Sequence, residues 1–191
     1  MEVVNKKFYH FHREDIYPEL WKKGNTIKVD SSYKSRIGDA LDAYPNAVYL
    51  YLKYLEDPSK NEHLLVEFNR MIEAGMFVFN ALFQREVYME IARRLVDPSL
   101  PSRKNSIWLC DAKGIKHWSN VLDEETKIYI VSGTGTLFKS SDAFIPDSFL
   151  NGHDMIEKAK KYWNPVFTEP YHEEQAEYLF QGEIKILKKI N

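Results

Sequence analysis

The C-terminal stretch Glu173–Leu187 (EEQAEYLFQGEIKIL) restricts this chain more than any other. Carboxylates and an amide come first, and an apolar run rich in aromatic and β-branched residues follows, which is the composition of a strand. The pattern predicts a strand over 178–187, with a bulge at Gln181-Gly182. A strand this apolar has to be buried in a sheet. The acid just before it, Glu177, would then stand at the mouth of a cleft on a rigid support. A lone carboxylate ahead of a strand is usually only solvated, so the rest of the chain has to decide between a site and an ordinary strand end.

The N-terminal end is equally aromatic. Lys7–Arg13 (KFYHFHR) reads as a strand on which His10 and His12 share one face and Tyr9, Phe11 and Arg13 the other. Pro18–Ile27 reads as a helical turn, a Gly-Asn turn and the start of a short second strand. Residues 30–100 read as mainly helical. Helices are expected over Tyr44–Leu55, over Asn61–Ala74 with Asn61 as N-cap and Gly75 behind it, and over Phe77–Val96. The last carries apolar residues at 79, 82, 83, 87, 91 and 95 and ends at Asp97-Pro98. Its polar face, with Gln84, Arg85, Glu86, Glu90, Arg93 and Arg94, is expected to be solvated, with ion pairs worth little.

From 101 onward the pattern changes to strands: Ser106–Asp111, then Lys127–Val131, a hairpin-like turn at Ser132–Thr136, and Leu137-Phe138. Asp154–Trp163 is a short helix with Lys158, Lys160 and Lys161 on a basic face. Trp21, Trp118 and Trp163 are expected as core or cleft-wall aromatics. Together these elements predict an α+β fold, one domain over 1–191, with a helical insert at about 30–100 between the first strands and the central strand.

Composition removes several function classes. Net charge is −2, unlike an extended nucleic-acid binder, although Lys158, Lys160, Lys161, Lys188 and Lys189 leave room for a local basic strip. The one cysteine, Cys110, allows no intramolecular disulfide and no cysteine-based metal site, which fits a reducing, cytoplasmic setting. The N-terminal segment lacks the apolar core of a signal peptide, and no apolar run approaches the ~20 residues of a membrane helix. Phosphate-loop, Rossmann, zinc-protease and nucleophile-elbow motifs are absent. His10-x-His12 supplies two ligands without a third, so no metal is expected. Gly133-Thr-Gly135 reads as a turn rather than a phosphate cradle. Arg103, behind Pro98 and Pro101, reads either as a surface residue or as a bidentate clamp for phosphate or carboxylate.

Three separated segments carry a resemblance. Tyr9-His10 in the first strand, Ser106-Ile107-Trp108-Leu109 in a central one and Gln175-Ala176-Glu177-Tyr178-Leu179 in a late one resemble the three-part signature of the ADP-ribosyltransferase superfamily. The last segment is similar to the Ala-Glu strand of its DNA-targeting toxins and to the Gln-x-Glu turn of its exotoxins. The chain thus resembles a bacterial family of unknown function grouped with that fold. The resemblance implies a split mixed or antiparallel sheet around an NAD cleft. In it His10 would bind a ribose, Ser106, Trp108 and Arg103 would line the dinucleotide, Gln175 would orient the acceptor, and Glu177 would stabilise the oxocarbenium ion as nicotinamide leaves. Trp108 stands where the superfamily has a stacking Tyr, and Phe11-His12 where it has Gly-Thr. Transfer to an unidentified acceptor, hydrolysis of NAD, and nucleotide or peptide binding without turnover are all compatible with this pattern, as is a core-only role for the aromatics.

Overall fold

The computed structural model describes residues 1–35, 37–38, 53, 56–57, 60, 63–64, 66, 83–122, 125–146 and 152–190. Within these, five strands form one antiparallel sheet: β1 (Glu2–Arg13), β2 (Thr26–Val29), β3 (Ile107–Leu109), β4 (Thr126–Ser141) and β5 (Ala176–Ile190). The helices that are continuous among the described residues are α1 (83–96), α2 (Ile115–Val121), α3 (Gly152–Trp163) and α4 (Pro170–Glu174). The fold is a mixed α+β one. The helices expected over 44–55 and 61–74 lie for the most part outside the described residues, as does the start of the one expected from 77.

The strand order is β1-β4-β5-β2, with β3 also paired to β5. β3 and β2 share one edge of β5, the first against Tyr178–Phe180 and the second against Gly182–Lys185. A bridge between Tyr9 and Cys110, with backbone bonds of 2.9 and 2.8 Å, ties the end of β3 back to β1. The sheet therefore curls on itself, and Phe8, Ile107, Leu109, Tyr129, Val131, Tyr178 and Phe180 fill its inner side. Alternation sends the intervening residues outward. There Leu179, Trp108 and Phe138 meet Met89 and Ala92 of α1 and Ala159, Tyr162 and Trp163 of α3 in a second core.

β5 shows why its sequence looks as it does. Residues 176–180 are all buried, because the first core covers one face and the helices the other. From 183 to 187 burial alternates, because only one face is covered.

Two expectations change. Ser132–Thr136 is no hairpin turn: it lies in the middle of the 16-residue β4, in continuous register with β5. Gly135 and Gly182 face each other across the two strands with φ of 153° and 139°. A Cβ on Gly182 would collide with the Thr134 carbonyl oxygen and lie 2.8 Å from the Gly135 Cα. The glycines serve a close approach of two backbones rather than a turn. For the same reason Gln181-Gly182 is not a bulge; the register shifts in the sheet fall at Val3/Lys6 and Ile130/Val131.

Candidate functional site

Glu177 is the second residue of β5, not the last residue of a loop before it. Its neighbours Ala176 and Tyr178 point into the first core, so its own side chain points outward under α1 and α3. It is 2% exposed. Directly across on β4 stands Ser140, whose hydroxyl donates to the Tyr162 carbonyl at 2.7 Å and so ties α3 to the sheet.

The site is a buried ionic cluster centred on Arg103, which a single 3-10 turn (Arg103–Asn105) delivers just ahead of β3. Its guanidinium donates to Glu177 Oε1 at 2.5 Å, to the Tyr162 hydroxyl at 2.8 Å and, from Nε, to Glu86 Oε2 at 2.9 Å. Its plane lies over the Trp108 indole, 4.5 Å from the ring centroid. The Tyr162 hydroxyl in turn donates to Glu177 Oε1. Arg85, at the rim of α1, adds an ion pair to Glu86 at 3.3 Å. Two carboxylates thus face two guanidinium groups.

Burial alone would drain the charge from Arg103; the carboxylate of Glu86, then Tyr162 and Glu177, hold it protonated well above the ordinary arginine range. Tyr162 is pushed well above the phenolic range, first by burial and then by the charge of Glu177. The cluster is therefore arginine-cation, tyrosine-neutral around neutral pH.

One feature goes beyond a closed salt bridge. Glu177 Oε1 accepts two charge-strengthened bonds, whereas Oε2 is buried and has no partner among the described residues. The Trp108 Nε1 and the Ser106 hydroxyl share that condition. Ser106 and Trp108 alternate with the inward-facing Ile107 and Leu109, so these three atoms belong to the outward side of the β3–β5 pair; a fourth, His117 Nε2, is on α2. Buried polar atoms are nearly always satisfied.

The other expected site residues fall elsewhere. His10 and His12 do share a face, their rings 5.8 Å apart, and both stack on Trp21 at 4.4 and 4.2 Å. That face is the inner one, shared with Phe8, so the His10 ring is across the sheet from the Glu177 carboxylate. Its link to the site is through the backbone: Nδ1–H donates to the Trp108 carbonyl at 2.8 Å. Burial, only partly offset by that bond, lowers His10 to about 3, and His12 is lowered for the same leading cause. Gln175 is the C-cap of α4 with φ −95° and ψ 12°, so strand alternation does not carry it to the face of Glu177. Its carbonyl accepts from the Asp142 amide at 3.0 Å.

Sequence reading missed Tyr162 and Glu86. The α1 polar face is not uniformly solvated: Glu86 is 3% and Arg93 8% exposed, and Arg93 donates to Glu90 and to the Pro98 and Leu100 carbonyls. No periodicity separates Glu86 from its exposed neighbours, because the partner that meets it, Arg103, lies on another element 17 residues further on. Among the described residues no group of side chains could hold a metal ion, and no helix is long and apolar enough to cross a membrane.

The fold and the cluster define an antiparallel α+β protein in which a buried strand acid, Glu177, is clamped by an arginine and a tyrosine. Residues 8–191 match the model of a family described as a protein of unknown function (DUF2441), and the chain belongs to that family. No match was found among curated proteins.

Proposed function

We propose that the chain is an ADP-ribosyltransferase-like protein that takes NAD, with Glu177 as the carboxylate that stabilises the charge formed on the ribose. The observation that carries this reading is the division of labour on Glu177: Oε1 is fixed by Arg103 and Tyr162, and Oε2 is without a partner among the described residues, on the same side of the β3–β5 pair as the equally unpartnered Trp108 Nε1 and Ser106 Oγ. A ribose hydroxyl donating to Oε2 and a carboxamide oxygen accepting from Trp108 would satisfy two of these atoms. In the reaction the bond from ribose C1′ to the nicotinamide nitrogen breaks and its electron pair leaves with nicotinamide. The positive charge left on the ribose faces a carboxylate that is already oriented, and an acceptor nucleophile then adds and loses its proton. A preorganised charge in a water-poor site is effective at this. Arg103 positions Glu177, and His10 acts only through the Trp108 carbonyl. Since Glu177 is 2% exposed, the cover over Oε2 has to open when the nucleotide enters.

A second reading is a nucleotide- or peptide-binding module without turnover. The Arg103 guanidinium over the Trp108 ring favours it, since it occupies one face on which nicotinamide would stack. Calorimetry with NAD and ADP-ribose, run beside an assay for free nicotinamide, separates the two: binding with release supports the enzyme, binding without release the module, and no binding of either ligand removes both.

A further inference from the structure

On the inner side of the curled sheet, away from Glu177, a cleft of about 320 Å3 opens between the segment after β1 and the ends of β4 and β5. Trp21, Tyr129 and Ile186 form its floor, and Lys22, Lys23 and Lys189 stand round it together with one acid, Glu14. The floor is fixed: Trp21 stacks on both histidine rings, meets Tyr129 edge-on at 5.2 Å, and all three floor residues belong to the first core. The charges are loosely held. Lys189 pairs with Glu14 and Lys22 with Glu19, and these acids are 45% and 80% exposed. Such surface pairs are worth little and are readily exchanged for another anion. Lys23 has no ion pair among the described residues.

We propose that this cleft binds a nucleoside monophosphate, with the phosphate among Lys22, Lys23 and Lys189 and the base against the Trp21–Tyr129 floor. The volume is at the small end of ligand sites and suits one nucleotide rather than two. Lysines bind phosphate as point charges, and an aromatic floor gives the base an apolar contact that a bare anion cannot use. The site is independent of the reading given to Glu177, because floor and acid lie on opposite sides of the sheet.

The test is titration calorimetry of the full chain with AMP, adenosine and inorganic phosphate as probes. AMP is expected to bind saturably and at least tenfold more tightly than either fragment. Affinity should fall with added salt, and should drop tenfold or more in the triple variant Lys22→Gln, Lys23→Gln, Lys189→Gln. Lys23→Glu alone, at an exposed position, should weaken AMP several-fold and guards against a triple variant that folds poorly. Glu177→Gln should bind AMP as wild type does. AMP binding no tighter than inorganic phosphate, binding unchanged in both lysine variants, or loss of AMP binding in Glu177→Gln each overturns the proposal; the last would move the ligand to the other face.

Discussion

Lowering the pH from 7 to 5 should destabilise the protein through His10, by an amount the structure sets. The ring is stacked on Trp21 beside His12, and burial holds its pKa at about 3 against 6.5 in the open chain. The folded form therefore keeps the ring neutral while the unfolded form takes up a proton. A lowered histidine adds nothing to instability well above 6.5, and stability is lost progressively as pH falls from 6.5 toward 3. Integrated between pH 7 and 5, that difference corresponds to about 2 kcal/mol. In a chain of this size the loss amounts to roughly 4–8 °C in melting temperature. His12, also lowered, adds to the effect in the same direction. The carboxylates with depressed values, such as Asp30 at about 2, lose their contribution only at lower pH, so this window isolates the histidines. His10→Gln keeps an amide donor for the Trp108 carbonyl and removes the titration. Urea unfolding of wild type and His10→Gln at pH 7 and 5 is the assay. The variant should lose about 2 kcal/mol less than wild type over that interval; equal losses in the two proteins would show that His10 is not held neutral and would refute the reasoning.

Arg103→Met leaves Glu86 and Glu177 buried without their shared cation, and denaturant midpoints should fall by an amount corresponding to about 3–5 kcal/mol. Tyr162→Phe removes one donor from Glu177 Oε1 and should cost about 1–3 kcal/mol by the same measurement, with Arg103 still in place. Gly182→Ala drives a Cβ into the Thr134 carbonyl at a positive-φ position and should lower the melting temperature sharply, whereas Gly24→Ala, with φ of 92° and open space around it, should cost only its backbone strain.

The sheet was legible in the sequence where alternation or a continuous apolar run was strong. His10 and His12 sharing a face, the short second strand, the strand at Ile107–Leu109 and the helix ending at Trp163 all follow from local pattern. Reading failed where meaning came from a partner strand. Gly133-Thr-Gly135 looks like a turn in one dimension, and only the facing Gly182 shows that it is a place where two backbones touch. The Arg103–Glu177 contact spans 74 residues and Arg103–Glu86 spans 17, so neither leaves a periodic trace. Arg103, Trp108 and Glu177 each stand out in their own segment; that Arg103 joins Trp108, Glu177 and Tyr162, while His10 looks to the other side of the sheet, depends on strand register, which single segments do not encode.

The central claim is that Glu177 Oε2 waits for a ribose. Its most direct test is the rate of nicotinamide release from NAD by wild type and by Glu177→Gln, with circular dichroism to show that both are folded. The account predicts release above the buffer rate for wild type and none above it for the variant. Release by the folded variant at the wild-type rate, or no release by wild type with protein, nucleic-acid and small-molecule acceptors supplied, would contradict it.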